Sequence, residues 1–261
     1  MITYPNLKIN IGLYITQKRP DGFHNLETIF YPVDNKTDKL EINRSKTGKN
    51  TFAVQNAGHI PEDEKNLCMQ AYRMLKNDYD FPELDITLTK YIPAGAGLGG
   101  GSADAAFTLK MINGLCNLNI SDAELKQYAL RLGSDVAFFI ENRPCYATGR
   151  GEILEPVPLD LSHKNITIVK PDFSISTAEA FSFVIPAPVS VDIKEIVKRP
   201  IEIWKNYLKN DFEKYVYNKY PILEKIKNDL YDAGADYVSL SGSGSAMYAI
   251  SDMKIPHKWA I

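Results

Sequence analysis

Apolar and polar residues alternate with a period of two in several segments, the pattern of a half-buried strand. This alternation predicts strands at residues 7–16 and 84–92, and the sequence predicts further strands at 26–33, 38–43, 166–170, 236–241 and 246–251. Apolar residues at helical spacing predict helices at residues 66–77, 103–116, 122–132 and, between several prolines, most of 176–233. Strand and helix segments therefore follow one another along the whole chain.

The most informative segment joins the strand at 84–92 to the helix at 103–116. It contains five glycines within seven residues and is followed by an alanine-rich run. Glycine adopts positive φ and lets a ligand approach backbone amides closely, while a helix N-terminus offers unpaired N–H groups and partial positive charge. Residues 93–102, here called the glycine loop, are thus predicted to bind an anion, most often phosphate.

Two familiar loop types fit this segment poorly. A P-loop ends in Gly-Lys-Ser/Thr, and no lysine occurs between Lys90 and Lys110. The dinucleotide pattern G-x-G-x-x-G matches Gly95, Gly97 and Gly100, but it normally opens the first βαβ unit of a domain, whereas over eighty residues come first here. We interpret that match as accidental, which leaves a dinucleotide-dependent oxidoreductase as the weakest alternative.

Length and charge narrow the class of protein. A chain of 261 residues suits one large or two modest domains, and glycines and prolines near residues 150–160 predict a domain boundary there. The net charge of −2 gives no reason to expect nucleic acid or a membrane surface, and no apolar run approaches the length of a membrane span. Three widely spaced cysteines predict reduced thiols in a cytoplasmic protein, and no Cys/His cluster has zinc spacing.

Several sequence blocks together resemble the GHMP kinase superfamily. The blocks are Lys-Ile-Asn-Ile-Gly-Leu-Tyr-Ile at 8–15, Arg-Pro-Asp-Gly-Phe-His-Asn-Leu at 19–26, the glycine loop, Leu-Gly-Ser-Asp-Val at 132–136, Gly-Arg-Gly-Glu at 149–152 and Ser-Gly-Ser-Gly-Ser at 241–245. They cover nearly the whole chain in the order the superfamily has them. The Asp-Gly-Phe-His element is similar, more narrowly, to members that act on a cytidine-diphosphate-linked methylerythritol.

This resemblance implies a two-domain α+β GHMP kinase fold. Residues 1–155 would form an N-terminal domain with a mixed or antiparallel sheet and helices, and residues 156–261 a ferredoxin-like C-terminal domain. The implied activity is ATP- and Mg²⁺-dependent phosphorylation of the 2-hydroxyl of 4-diphosphocytidyl-2-C-methyl-D-erythritol, in non-mevalonate isoprenoid precursor biosynthesis. The implied partner is this small molecule, with no nucleic acid or membrane, in a cytoplasmic monomer or weak homodimer.

The resemblance also assigns an ATP site. The ATP-binding residues would be Pro93, Gly95, Gly97, Leu98, Gly99, Gly100, Gly101 and Ser102, whose amides can cradle the triphosphate. Ser102 could add a hydroxyl to phosphate or Mg²⁺. Asn66 matches a residue near the adenine, and its alternative role is that of a helix N-cap.

The resemblance assigns catalysis to Lys8 and Asp135. Asp135 would take or orient the proton of the acceptor hydroxyl, and Lys8 matches the lysine beside it. From the residues alone, Asp135 after Gly133-Ser134 could instead be an N-cap, and Lys8 could be a solvated lysine on an edge strand.

The substrate-binding residues implied in the same way are Asn10, Phe23, His24 and Phe181. An aromatic face can stack on cytosine, and imidazole can hydrogen-bond a pyrimidine edge. Where Phe23 stands the family commonly has tyrosine, so stacking is retained and a hydroxyl is lost. Taken alone, Phe181 could be ordinary core and Asn10 a buried strand amide.

The chain departs from the family pattern at two positions. Ala103 stands where the family usually has a second serine, and Ala137 where it often has proline.

Two alternative functions are disfavoured. Another GHMP kinase, of mevalonate or homoserine type, is disfavoured because those substrates carry no pyrimidine for Phe23 and His24. A non-catalytic binding protein on this fold is disfavoured because it would need neither Lys8 nor Asp135.

Overall fold

The computed structural model describes residues 1–56, 60–61 and 63–261. Within them the strands are β1 (Ile2–Thr3), β2 (Asn6–Lys18), β3 (His24–Thr37), β4 (Lys39–Arg44), β5 (Thr51–Gln55), β6 (Leu84–Thr89), β7 (Cys145–Thr148), β8 (Ile153–Pro156), β9 (Asn165–Val169), β10 (Tyr237–Leu240) and β11 (Met247–Ser251). The helices are α1 (Leu67–Asp78), α2 (Gly100–Cys116), α3 (Asp122–Leu132), α4 (Phe138–Glu141), α5 (Thr177–Phe183), α6 (Ile193–Ile196), α7 (Glu213–Lys219) and α8 (Pro221–Asp232), with a 3₁₀ turn at Ile201–Asn206.

The strands form three sheets. One has the order β1-β4-β6-β5 and is mixed, because β5 runs parallel to β6 while the other pairs are antiparallel. A second has the order β2-β3-β7-β8. The third, β10-β11-β9, is antiparallel throughout. The sheets and helices together agree with the predicted α+β class.

The described chain divides into two compact units. The first contains residues 1–7, 34–94 and 99–142, and the second contains 8–33, 95–98 and 143–261. Each unit is assembled from separated segments of chain, so the predicted division of the sequence at residue 155 stays a prediction.

Each unit has its own apolar core. In the first, Leu40, Ile86 and Leu88 of the mixed sheet are buried, as is Leu109 of α2. In the second, α8 buries one face against the antiparallel sheet. That face consists of Leu223, Ile226 and Leu230, and it packs in one cluster with Val238, Leu240, Met247 and Ala249. The spacing of the α8 residues is the helical pattern seen in the sequence.

The predicted helices and strands are present, with differences at the ends. Helix α2 begins at Gly100 and not at residue 103, because Gly99 at its N-cap takes the left-handed conformation (φ 72°) and turns the chain into the helix. The pattern did not predict β1, β5, β7 and β8. These strands have two, five, four and four residues.

The structure also tests what the sequence predicts for the cysteines and for membrane-spanning helices. Cys68, Cys116 and Cys145 are free thiols, as predicted. Among the described residues, none of the helices combines the length and the apolar character that crossing a bilayer requires.

Candidate active site

The glycine loop has the backbone of an anion-binding turn. Gly95, Gly97 and Gly99 all have positive φ, at 64°, 80° and 72°. Because Gly99 is the N-cap of α2, Gly100, Gly101 and Ser102 form its first turn, where the N–H groups have no partner within the helix. These amides and the half-buried Ser102 are the donors that a triphosphate needs.

Lys8 lies on β2 with only 3% of its surface exposed. Its ammonium donates to Asn10 Oδ1 at 2.6 Å and to the carbonyl oxygen of Gly97 at 3.2 Å, and it lies 4.9 Å from the centre of the Phe30 ring. A solvated edge-strand lysine is therefore excluded. A buried ammonium is costly without acceptors, so these contacts are what hold the charge at this position.

Residues 241–245 form the turn of the β10–β11 hairpin and also contact Gly97. Ser241 Oγ donates to the Gly97 carbonyl at 2.9 Å, and the backbone N–H of Ala246 donates to the carbonyl of Ala96 at 3.1 Å. A Cβ on Gly97 would collide with the carbonyl oxygen of Ser241. Both glycine and the small residues of the turn are required for this approach.

The two asparagines among the predicted site residues are buried and hydrogen-bonded. Asn10 Nδ2 donates to Thr28 Oγ1 at 3.2 Å while its Oδ1 accepts from Lys8. Asn66 is the N-cap of α1: its Oδ1 accepts from the N–H of Cys68 at 2.9 Å, and its Nδ2 donates to the carbonyl of Pro61 at 2.9 Å. The N-cap alternative for Asn66 is confirmed, and its contact with adenine stays a prediction.

Asp135 is half-buried in the turn that connects α3 to α4. The N-cap of α4 is Ala137, with no capping hydrogen bond from a side chain. The N-cap alternative for Asp135 is therefore wrong, and the catalytic role stays a prediction.

The structure brings together two of the three predicted aromatic residues. His24 stacks on Phe181 with ring centroids 4.9 Å apart and an interplanar angle of 23°. Phe181 in turn packs edge-on against the buried Phe212, with centroids 4.9 Å apart. Phe23 is 54% exposed, and the Arg150 guanidinium lies 4.8 Å from its ring centre.

This arrangement changes the expected pocket. His24 covers one face of Phe181, so a base stacked on that face would have to displace the imidazole. Arg150 belongs to the Gly-Arg-Gly-Glu block, and its contact with Phe23 joins two segments far apart in sequence.

Charges near the turn at residues 21–24 act on two titratable groups. Burial and the positive charge of Lys18 hold the pKa of His24 below its ordinary value, which favours the neutral imidazole. A hydrogen bond from Arg19 lowers the pKa of Asp21, whose Oδ1 also accepts the N–H of Phe23 at 3.1 Å. The turn is thus fixed by local contacts.

Asp38, Lys90 and Asp104 form a buried triad, in which Lys90 lies shortly before the glycine loop in sequence and Asp104 shortly after it. Lys90 Nζ contacts the carboxylates of Asp38 and Asp104, and its distance to Asp104 Oδ2 is 2.6 Å. Burial raises the pKa of Asp104 to about 7, although the Lys90 charge opposes this. The sequence contained a signal for it, because Lys90 falls on the apolar face of the alternation Leu84, Ile86, Leu88 and needs a buried partner there.

Metal-ligating residues are sparse in the part of the chain that the structure describes. It contains no group of three or more His, Cys, Asp or Glu side chains placed to hold an ion. That is compatible with Mg²⁺, which usually binds through substrate phosphates, water and one or two protein oxygens. Ser102 fits as one such oxygen.

Comparisons with known proteins identify the family to which this chain belongs. The family model described as "GHMP kinases N terminal domain" matches residues 66–143, and "GHMP kinases C terminal" matches 192–255. A 4-diphosphocytidyl-2-C-methyl-D-erythritol kinase from Bacteroides fragilis is 49% identical over 252 residues, which is 96% of this chain and 92% of that protein. The chain belongs to the 4-diphosphocytidyl-2-C-methyl-D-erythritol kinase family.

Solved structures agree with this membership. A crystal structure of 4-(cytidine 5'-diphospho)-2C-methyl-D-erythritol kinase matches with a TM-score of 0.80 and 28% identity, covering 96% of this chain and 90% of that one. A homoserine kinase from Cytophaga hutchinsonii matches with a TM-score of 0.70 and 20% identity, covering 95% and 85%, and shows the shared fold alone. The predicted fold class and kinase class are thereby confirmed.

Proposed function

We propose that this member of the family transfers the γ-phosphoryl group of ATP to the 2-hydroxyl of 4-diphosphocytidyl-2-C-methyl-D-erythritol. The observation that carries the proposal is the burial of the Lys8 ammonium against the carbonyl of Gly97 in the glycine loop. It holds a positive charge at the phosphate-binding segment, in a chain whose relatives bear the name of this kinase.

Phosphoryl transfer depends mainly on positioning and on stabilising the negative charge of the transferring group. The amides of the glycine loop would hold the triphosphate, and Lys8 would stabilise charge on the phosphoryl oxygens. Mg²⁺, held by the phosphates, water and Ser102, would neutralise further charge.

Asp135 would orient the acceptor hydroxyl and take its proton. As the new O–P bond forms, the O–H bond breaks, and ADP leaves with the electrons of the cleaved P–O bond. General base residues of this kind contribute about 100- to 10,000-fold to the rate. We assign the cytidine end of the substrate to Phe23, His24 and Phe181, and a contact with the substrate to Asn10.

An ADP-release assay with purified protein tests the substrate. It compares the cytidine-linked substrate, unlinked methylerythritol phosphate, mevalonate and homoserine, each with Mg²⁺ and ATP. We expect turnover of the cytidine-linked compound alone. Turnover of mevalonate or homoserine in its place would contradict the assignment, and no turnover of any acceptor would favour a non-catalytic binding protein.

The same assay tests Asp135. Asp135→Asn should lower kcat by about 100-fold or more while ATP binding stays unchanged. Asp122→Asn is the matched control, because Asp122 is exposed in the first turn of α3 and has no assigned role. A kcat near that of the wild type in Asp135→Asn would remove the catalytic role from Asp135.

A further inference from the structure

The two ends of the glycine loop are connected by one buried ammonium. Lys90, which follows β6, is only 6% exposed, and its Nζ contacts Asp38 Oδ2 and, at 2.6 Å, Asp104 Oδ2. Lys90 lies three residues before the loop begins, and Asp104 lies two residues after it ends, in the second turn of α2.

Asp38 extends the connection to the backbone that enters the loop. Its Oδ1 accepts the N–H groups of Tyr91 and Ile92, the latter at 2.8 Å. Gly100, at the start of α2, packs on the same place: a Cβ on it would lie 2.9 Å from Ile92 Cγ2 and 3.4 Å from Lys90 Nζ. The segment before the loop and the helix after it are therefore held in one arrangement by buried polar contacts.

We propose that the buried triad of Asp38, Lys90 and Asp104 is a positioning element for ATP. Through the contact between Lys90 and Asp104 it fixes the direction in which the first turn of α2 presents its amides. The proposal rests on the proposed function, because it takes the glycine loop as the ATP site. A loop whose ends are already fixed loses less conformational freedom when it binds a ligand, so binding is tighter.

Stability by itself does not explain this arrangement. Burying charged groups costs desolvation free energy, and a buried ion pair is often no more stabilising than apolar residues of similar volume. Here two carboxylates share one ammonium, and Asp104 Oδ1 has no hydrogen-bond partner among the described residues. An arrangement that costs desolvation and is placed at both ends of a ligand-binding loop is better explained by the orientation it gives that loop.

Removing Asp104 tests the proposal. Asp104→Ala takes away the contact with α2 and leaves Lys90 paired one-to-one with Asp38. We expect the Kd of an ATP analogue, measured by calorimetry, and the KM for ATP to rise about tenfold, the scale of one lost hydrogen bond to a charged group. The KM for the cytidine-linked acceptor should change by less than about twofold. Asp104→Asn should restore ATP binding, because its amide oxygen can accept from Lys90 Nζ.

Thr108→Val is the matched control. Thr108 is fully buried on α2 one turn after Asp104, and its hydroxyl donates to the backbone carbonyl of Asp104 at 2.8 Å. This variant should lower the melting temperature slightly and leave both KM values unchanged. Should Asp104→Ala fail to fold, Asp104→Ser replaces it, since a serine hydroxyl is too short to reach Lys90.

Three outcomes would overturn the proposal. They are a lower melting temperature in Asp104→Ala with unchanged ATP affinity, an equal rise in both KM values, and an Asp104→Asn variant as impaired as Asp104→Ala. Calorimetry on the wild type separates this proposal from the proposed function. A wild type that binds the ATP analogue but phosphorylates no acceptor would contradict only the proposed function, and a wild type that does not bind it would contradict both.

Discussion

The carbonyl oxygen of Gly97 is shared by two donors from distant parts of the chain. Lys8 Nζ donates to it at 3.2 Å and Ser241 Oγ at 2.9 Å. A backbone carbonyl has two lone pairs, so both hydrogen bonds can exist together. The carbonyl that accepts from the proposed catalytic lysine is therefore also bound by a serine far along the chain.

His24 is the residue whose protonation should matter most for substrate binding. A neutral imidazole keeps one ring nitrogen as an acceptor, which matches the donor that the amino group of cytosine presents. The protonated ring offers two donors and loses that match. Burial and Lys18 hold its pKa below the ordinary value, so the neutral form prevails at neutral pH.

The KM for the cytidine-linked substrate should therefore rise at acidic pH, with a midpoint lower than about 6.5, the ordinary pKa of histidine, while the KM for ATP stays flat. Initial rates at several pH values measure both. His24→Gln keeps a donor and an acceptor without titrating, so it should remove the pH dependence, and His163→Gln, at an exposed histidine, should retain it. The same pH dependence in His24→Gln would show that another group is responsible.

At the scale of the elements, the β10–β11 turn can contact the glycine loop because Gly97 has no side chain. Gly97 has φ 80° and no room for a Cβ next to Ser241, whereas Gly95 has φ 64° and open space around it. Both glycines thus have left-handed backbone, but of the two only Gly97 is in tight contact.

This difference gives a prediction on stability. Gly95→Ala should lower the free energy of unfolding by about 1–2 kcal/mol, the cost of left-handed backbone for a residue with a Cβ. Gly97→Ala adds a collision with backbone and should cost about 1–3 kcal/mol more. Chemical denaturation measures both variants, and equal losses would mean that residues 241–245 do not pack on Gly97 in solution.

At the scale of the whole molecule, binding of either ligand should stabilise the folded chain. A ligand that binds only the folded state, at 100 times its Kd, adds about 2.7 kcal/mol. For a chain of this size that corresponds to a rise in melting temperature of about 5 °C or more. Mg²⁺-ATP and the cytidine-linked substrate should each produce such a rise.

Phe23→Ala should reduce the thermal shift caused by the cytidine-linked substrate and leave the shift caused by ATP unchanged. Phe23 is 54% exposed, so its removal should not affect folding. Tyr4→Ala is the matched control, because Tyr4 is 60% exposed and has no assigned role. If Phe23→Ala reduces both shifts equally, the cytidine pocket has been misplaced.

Much of the secondary structure and the glycine loop could be predicted from the sequence, because the patterns that predict them are local. Alternation and helical spacing depend on neighbouring residues, so they located the strand before the loop and helices α1, α2 and α3. The glycine loop was predictable because positive φ at Gly95, Gly97 and Gly99 is a property of the residue itself. The order of the blocks then predicted the kinase family, which the relatives confirm.

The tertiary structure decided which distant residues meet. The stacking of His24 on Phe181, the contact of Arg150 with Phe23 and the hydrogen bond from Ser241 to the carbonyl of Gly97 each join segments more than a hundred residues apart. The alternation placed Lys90 on a buried face but could not supply its partners, because Asp38 and Asp104 reach it only when strand and helix pack. Local chemistry is set by the residue and its neighbours, whereas burial and partnership arise only from packing.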